Sequence, residues 1–337
     1  MFFLKTFAMR LVGSLPLIVV ISIMVFAILR ALPADPIAML LPPNATIADA
    51  ARLRQAYGLD QPIYVQYLLW ISGIAQGNFG ASISLHQPVA GLILPALPAT
   101  IELVIVGALI GVMLGVAGGI LLFVLRGSFG EHAGDVVVLM VFSLPELLWA
   151  ILLLITFGVV FAILPFMGRM EPGFQVETIT GFLFVDILLN GNFAAFANAM
   201  SHMVLPALAL AAGLAPMIAR IVRAALLEVE REDYVQMASM RGLGPLRILW
   251  NYQFRNAAVP TVSLIGVQVA FLFGGTMLVE VVFSYPGLGN LMVEAVKAQD
   301  LPLIQAASLT YCVLVLVVNA LIDASYAVLN PKLRSAA

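Results

Sequence analysis

Six long runs of apolar residues, separated by polar segments, dominate the pattern along this 337-residue chain. A helix of roughly 20 apolar residues crosses a bilayer core about 30 Å thick. Because each run meets or approaches that length, the pattern predicts an all-α integral membrane protein with six transmembrane helices. The predicted spans are residues 11–29, about 97–125, 136–164, 203–219, 259–279 and 303–322.

The first run raises the alternative of a cleaved signal peptide. Its apolar stretch is longer than the roughly 7–15 residues of a signal core, and no small-x-small site follows it. We therefore expect residues 1–31 to hold a retained first helix, bracketed by Arg10 and Arg30.

The basic residues predict the orientation, because cytoplasmic loops carry an excess of lysine and arginine. With both termini in the cytoplasm, most of the 16 basic residues lie inside. Those inside would be Lys5, Arg10, Arg126, Arg220, Arg223, Arg231, Arg241, Arg247, Arg255, Lys332 and Arg334. The six-span chain is therefore predicted to be N-in and C-in.

Three segments between the predicted spans are long. Residues 32–96 form an external region, residues 165–201 a second external loop, and residues 220–258 the only sizeable cytoplasmic loop within a core domain of residues 97–337. The first external region has an amphipathic pattern that predicts a helix ending near Gly58. Its alternating positions are Ile47, Asp49, Ala51, Arg52, Leu53 and Arg54.

Composition agrees with a lipid environment. The chain is 62% hydrophobic and 10% charged, with a mean hydropathy of +1.07, whereas soluble domains are about 45–50% apolar and about 25% charged. A net charge of −2 gives no reason to expect nucleic acid as a partner. The histidines His86, His132 and His202 are scattered, and neither they nor Cys312 suggests a metal site.

The cytoplasmic loop has a helix-break-helix pattern. Tyr234, Met237, Ala238 and Arg241 recur at helical spacing and are predicted to share one face. Gly242 follows where a helix end favours a residue that tolerates positive φ.

Pro245 then suits the first position of a second helix, to about residue 254. One face of that helix is predicted to carry Leu246, Leu249, Trp250 and Gln253. The two short helices would form a compact knuckle (residues 233–254) that fits a groove on a partner.

This loop resembles the ATPase-docking loop of ABC importer permeases. The family pattern is Glu-Ala-Ala, three residues, then Gly; this chain keeps Ala238 and Gly242 but has Gln236 and Met237 in place of Glu and Ala. The closing residues 255–260 are similar to the peptide-importer branch. The stretch itself reads Asp233-Tyr234-Val235-Gln236-Met237-Ala238-Ser239-Met240-Arg241-Gly242-Leu243.

Three further stretches carry the likeness along the whole chain. Residues 77–82, Gly-Asn-Phe-Gly-Ala-Ser, precede Pro88-Val89, and Asn78 stands where the family commonly has Asp. Residues 283–289 read Phe-Ser-Tyr-Pro-Gly-Leu-Gly before the last span. The C-terminal pattern consists of Asn319, Asp323, Tyr326, Asn330 and Pro331. With these stretches in order, the chain resembles the transmembrane subunit of binding-protein-dependent ABC importers of the dipeptide, oligopeptide and nickel group.

The resemblance implies a non-catalytic permease of the bacterial inner membrane that binds no cofactor itself. Its implied partners are a homologous second permease, two ATPase subunits that use ATP and Mg, and a periplasmic or surface-anchored binding protein. ATPase closure would pull the knuckle and switch the helices from inward- to outward-facing. The implied ATPase-coupling residues are Tyr234, Met237, Ala238, Arg241, Gly242 and Leu243. A Gly242→Asp change is expected to uncouple ATP turnover from transport.

Four carboxylates fall in or beside predicted spans, where a charge costs about 2.5–3.5 kcal/mol on insertion scales. Glu102 and Glu280 lie near span ends and are expected to reach the external interface, and Asp323 is expected to pair with Asn319 one turn earlier. Glu146 follows Pro145, and two roles stay open: it lines the pathway and meets a cationic group on the solute, or it pairs with a partner subunit.

Glycines recur at small-xxx-small spacing in spans two and five, which lets helices approach closely. We expect helix packing for span two and a pathway or interface role for span five. The pathway candidates are Glu146, Gln268, Gly274 and Gly275. The glycines concerned are Gly107, Gly111, Gly115, Gly118 and Gly119 in span two, and Gly266, Gly274 and Gly275 in span five.

Two other functions remain as alternatives. The chain has no Gly-x4-Gly-Lys-Ser/Thr loop, so it is not expected to bind ATP in the usual way. A secondary transporter driven by an ion gradient is disfavoured by the few intramembrane charges, and an integral-membrane enzyme by the lack of a readable catalytic pair. Peptide is the first choice of solute, with nickel chelates, glutathione-like compounds or sugars as alternatives.

Overall fold

The computed structural model describes residues 2–31 and 60–329. These residues form an all-helical fold without a β-strand, apart from one isolated bridge between Ala81 and Pro88. The predicted all-α class is thus confirmed. The amphipathic helix expected near Gly58 and the C-terminal Asn330 and Pro331 lie outside the described residues.

Twelve α-helices and two π-helical segments occur among the described residues, numbered here in chain order. They are α1 Phe2–Ala31, α2 Ile63–Ala75, α3 Val89–Val124, α4 Phe129–Ser143, α5 Glu146–Leu153, π1 Leu154–Val160, α6 Leu183–Leu189, α7 Phe193–Glu230, α8 Asp233–Met240, α9 Pro245–Ile248, π2 Leu249–Phe254, α10 Arg255–Val282, α11 Leu288–Lys297 and α12 Leu301–Leu329.

Five of the described helices (α1, α3, α7, α10 and α12) contain segments long and apolar enough to cross a membrane. A sixth crossing exists if α4 and α5–π1 count as one broken span. The predicted span over residues 136–164 is not one continuous helix, because its two halves meet at an angle of 100°. Leu144 and Pro145 have extended backbones at the break, since proline lacks an N–H and disfavours helical geometry in the residue before it.

The fourth predicted span, residues 203–219, is the middle of a much longer helix. The structure starts α7 at Phe193, where the side chain of Asn192 accepts a hydrogen bond from the Ala195 N–H, and continues it to Glu230. The second external loop and the cytoplasmic loop are therefore both shorter than predicted. As a result, one continuous helix of 38 residues leads directly to the knuckle.

The centre of the fold is the contact between α3 and α7. Gly107, Gly111, Gly115 and Gly119 follow one face of α3, and a β-carbon at Gly115 would lie 2.6 Å from the Ile218 β-carbon. The packing role expected for these glycines is confirmed. The facing positions on α7 are Leu210, Leu214, Ile218 and Val222.

The peripheral carboxylates are bound differently from what the sequence suggested. Asp323 of α12 forms an ion pair with Arg10 of α1 at 3.4 Å, rather than the expected pair with Asn319. Glu102 and Glu280 were expected to reach the external interface, but both are buried. Because hydrogen bonds within the fold satisfy these two buried groups, they hold helices together.

Candidate functional site

The knuckle between α7 and α10 has the predicted break. Gly242 has φ +74°, and its N–H donates to the Ser239 carbonyl at 2.9 Å. The Leu243 N–H reaches back to the Ala238 carbonyl, which closes the end of α8. Pro245 occupies the first turn of α9. The helix-break-helix prediction is confirmed, although the second helix turns π-helical at Leu249 and runs on without interruption into α10.

The predicted face of α8 is divided between inside and outside. Ala238 is only 3% exposed and packs with Val235 and Ile248 in a small cluster of its own. Met237 is 60% exposed, and Tyr234 and Arg241 are also exposed. Because Ala238 is inside the knuckle, it shapes the unit and does not offer a contact surface, contrary to the prediction that it shares a docking face with the other three.

The predicted face of the second helix divides in the same way. Leu249 and Gln253 are both 5% exposed, whereas Leu246 and Trp250 point outward. Residues four apart lie on the same side of a helix, so each pair shares one environment, one pair buried and the other exposed.

Four large apolar side chains thus lie exposed on the knuckle: Met237, Met240, Leu246 and Trp250, called here the knuckle apolar set. Met240 is 83% exposed, the largest fraction of the four. Exposed apolar side chains of this kind mark interaction surfaces, and methionine adapts its shape to a partner. The set forms an exposed apolar surface where the sequence had indicated one mixed face.

Ion pairs join the ends of the helices that lie beside the knuckle. Arg126, just after α3, pairs with Glu230 at the end of α7, and this partner raises the pKa of the arginine. Arg223 of α7 pairs with Glu131 and Asp135 of α4. Ion pairs therefore connect α7, which leads into the knuckle, to α4 and to the end of α3.

A second feature is a cavity of about 390 Å³ at the break between α4 and α5. It is lined by Glu146, by Gly213 of α7, by Gly275 of α10 and by apolar side chains. The Oε2 atom of Glu146 is buried and has no hydrogen-bond partner among the described residues. An unsatisfied buried oxygen is costly, and such exceptions call for an explanation.

The structure separates the four pathway candidates into two groups. Glu146 and Gly275 meet in the cavity. Gly274 has open space next to it, and Gln268 contacts the sulfur of Met217, away from the residues that line the cavity. Sequence reasoning missed Gly213. It stands alone in an alanine- and leucine-rich stretch of α7, the one signal that it had a special contact.

Two of the sequence stretches noted above are held by buried carboxylates, those of Glu280 and Asp300. Glu280 accepts hydrogen bonds from the Thr100 hydroxyl at 2.7 Å and from the Asn290 N–H at 2.9 Å, and it lies against Gly287 and Gly289. The Phe-Ser-Tyr-Pro-Gly-Leu-Gly stretch therefore wraps a buried carboxylate. Nearby, Arg169 pairs with Glu102.

The first external motif is fastened by Asp300, which is fully buried before α12. Its Oδ2 atom accepts from the Ser82 hydroxyl at 2.5 Å, from the Ser84 hydroxyl at 2.8 Å and from the Ser84 N–H at 3.0 Å. Burial acts to raise the pKa of Asp300, but these hydrogen bonds outweigh it and hold the pKa below its usual value. The serine stretch is thus clamped to the last helix by an ionised carboxylate.

Two family models of the same kind of membrane component together match almost the whole chain. Residues 107–335 match the family described as binding-protein-dependent transport system inner membrane component, and residues 3–104 match the N-terminal family of the same membrane components.

Several relatives match over nearly their full lengths. A di/tripeptide transport system permease protein, DppB of Pseudomonas aeruginosa, is 34% identical, with 98% of this chain and 99% of the relative covered. The dipeptide permease DppB of Escherichia coli K12 is 32% identical, with 97% and 98% covered. A glutathione transport system permease, GsiC of Escherichia coli, is also 32% identical, with 96% and 97% covered.

A solved structure has the same fold. It is the MetNI methionine ABC transporter in inward-facing conformations, which matches with a TM-score of 0.50 and 18% identity. The alignment covers 73% of this chain and 96% of the other. At this identity the likeness concerns the helical arrangement alone.

Proposed function

This chain belongs to the family of binding-protein-dependent transport system inner membrane components, and from that premise we propose that it is the permease subunit of an ATP-driven importer of di- or oligopeptides. It is a multi-pass protein of the bacterial inner membrane. The observation that carries the coupling role is the knuckle: it exposes four large apolar side chains and is continuous with α10.

Support for a peptide as the solute comes from the relatives. Permeases named for di/tripeptide and dipeptide transport match along 97–98% of this chain at 32–34% identity. Glutathione is the second candidate, because a permease named for it is 32% identical over a similar length. The family match favours an ABC importer over the two alternatives from the sequence analysis, an ion-driven transporter and a membrane enzyme.

The proposed coupling follows from helix continuity. Only the short Arg231–Glu232 turn separates α7 from α8, and π2 passes directly into α10. A displacement of the knuckle therefore moves two long helices, which together contribute Gly213 and Gly275 to the cavity. Closure of a docked ATPase pair would be transmitted to the cavity by this route.

We propose four kinds of partner for this subunit: a homologous second permease, two ATPases that bind and hydrolyse ATP with Mg, a solute-binding protein on the external side, and the lipid bilayer. In the six-span arrangement both termini and the knuckle are cytoplasmic. The knuckle apolar set contacts the ATPase, with Tyr234, Arg241 and Leu243 around it. Ala238 and Gly242 fix the shape of the unit.

Reconstitution of the complete importer tests the proposal. Proteoliposomes that contain the purified complex and its binding protein should accumulate radiolabelled alanyl-alanine only when ATP is supplied on the knuckle side. Glutathione should be taken up more slowly. Accumulation driven equally well by an ion gradient without ATP, or no uptake of either solute, would contradict the proposal.

Met240→Glu tests the docking surface. Met240 is the most exposed residue of the knuckle apolar set, and burying a charge in its place should lower ATPase co-purification on the order of 10-fold, as for a central interface residue. Gln236→Glu adds the same charge on the same helix at an exposed position and serves as the control. Equal ATPase recovery with both variants would show that docking lies elsewhere.

A further inference from the structure

The geometry around Glu146 is built to present its carboxylate inside the membrane. Glu146 is the first residue of α5, directly after the extended Leu144–Pro145 break. A helix N-terminus favours a negative charge, and a carboxylate placed there suits a cationic ligand. The 100° bend between α4 and α5–π1 turns this helix end towards α7 and α10.

Two glycines on different helices make room for the carboxylate. A β-carbon at Gly213 of α7 or at Gly275 of α10 would overlap the carboxylate of Glu146. Any side chain at either position would displace it. The absence of side chains at both positions therefore keeps the carboxylate in the cavity.

Among the residues that the structure describes, no cationic side chain lines the cavity, whether lysine, arginine or histidine. Arg223, Arg126 and Arg169 are each paired with other carboxylates. Arg220 lies with its guanidinium 5.8 Å from the ring centre of Phe142, which also lines the cavity. Arg220 is thus an internal competitor, and a test must distinguish it from a solute.

We propose that Glu146 binds the primary ammonium group of the transported solute, the α-amino end of a peptide, as the solute passes this cavity. The inference rests on the proposed function and deepens it. The Phe142 ring, which Arg220 approaches to 5.8 Å, is a second group of the lining that attracts a cation. A divalent metal would need several oxygen ligands, whereas Glu146 is the only carboxylate among the described residues of the lining.

The size and polarity of the cavity agree with this ligand. A volume of about 390 Å³ is within the usual range for small-molecule sites. Leu144, Leu147 and Leu278 give apolar walls that accept different side chains. One charged contact with otherwise non-specific walls permits entry and also release, as passage through a membrane requires.

Binding to the purified complex without its binding protein tests the amine directly. The probes are alanyl-alanine and N-propionylalanine, which differ only in the α-amino group, and saturation-transfer NMR reports their contact with the complex. The wild type should bind alanyl-alanine about 10- to 100-fold more tightly, the range expected for one charge-assisted hydrogen bond, and Glu146→Gln should remove that preference.

Import of alanyl-alanine at saturating binding protein gives the second measurement. Glu146→Gln should lower the maximal rate by a similar factor and leave the half-saturating concentration of loaded binding protein unchanged. Glu294→Gln, an exposed carboxylate outside the cavity, should import at the wild-type rate.

Three outcomes would overturn the inference. If Glu146→Gln keeps both the amine preference and the import rate, Glu146 does not meet the solute, although peptide import itself stands. If Glu146→Gln and Arg220→Gln lower import equally and the amine preference persists, the two residues form an internal pair. If the wild type neither imports nor binds alanyl-alanine, the peptide proposal fails and this inference fails with it.

Discussion

Single glycines decide how closely the two central helices approach. On α3, Gly107, Gly111, Gly115 and Gly119 lie against large side chains of α7. Lipid provides no hydrophobic drive for two helices to associate, so close backbone contact supplies the attraction instead. Because α7 leads into the knuckle, the packing of α3 against α7 also fixes the position of the knuckle relative to the long helices.

Gly115→Ala tests this contact. The added β-carbon would lie 2.6 Å from the Ile218 β-carbon and 2.8 Å from the Ala215 carbonyl oxygen, so one helix must move. Overpacking of this kind costs about 1–3 kcal/mol. The thermal unfolding temperature of the purified complex should fall. Gly91→Ala, in the same helix with open space around it, should leave that temperature unchanged or raise it slightly; equal effects would contradict the assignment.

Some residues were predictable from the sequence and others were not, for a physical reason. The glycines of α3 recur at a fixed spacing, and Gly242 ends an amphipathic helix. The roles of both can therefore be predicted from the neighbouring sequence. The role of Gly213 cannot, because it depends on Glu146, which is far away in the chain. A pattern along one helix cannot report which residue of another helix it faces.

At the scale of elements, a few buried carboxylates clamp loops to helices. Asp300 holds Ser82 and Ser84 against the start of α12, where it also accepts from the Leu303 N–H at 3.2 Å. Glu280 does the same for the first turn of α11, where it accepts from the Asn290 N–H. These polar clamps satisfy groups that lipid or apolar packing would leave unpaired.

Asp300→Asn should destabilise the protein in a pH-dependent way. The hydrogen bonds lower the folded-state pKa of Asp300, so its contribution to stability is present above the unfolded pKa of about 3.9 and is lost as pH falls through the folded value. The difference in unfolding temperature between wild type and variant should be large at pH 7 and shrink below about pH 4. Asp60→Asn, at an exposed position, is the control; a difference that does not change with pH would refute the clamp.

The sequence predicted correctly that the elements are helices, but it predicted less well where each helix is interrupted. The apolar runs indicated all of the long helices, since a membrane span is recognised by a run of about 20 mostly apolar residues. The pattern did not show that residues 136–164 turn through 100°, because an apolar run looks the same whether it is straight or bent. Likewise, helical spacing grouped Ala238 with Met237, while packing against Ile248 put Ala238 inside.

At the scale of the molecule, the account requires the knuckle and the Ser82–Ser84 clamp to face opposite sides of the membrane. Cysteine labelling can test this, because Cys312 is the only cysteine in the chain. In a Cys312→Ser background, Ser239→Cys on the exposed side of α8 should react with an impermeant maleimide only in inside-out vesicles. Gln87→Cys, exposed beside the clamp, should react only in intact spheroplasts. Labelling of both from one side would contradict the six-span, N-in arrangement.

The central claim is that the knuckle couples ATP hydrolysis to solute passage. Gly242 has φ +74° and open space around it, so Gly242→Asp adds backbone strain and a charge at the break without a direct clash. The decisive measurement is ATP turnover by the reconstituted importer with and without solute-loaded binding protein. We predict that loaded binding protein stimulates turnover in the wild type and fails to do so in Gly242→Asp; stimulation at the wild-type level in the variant would contradict the account.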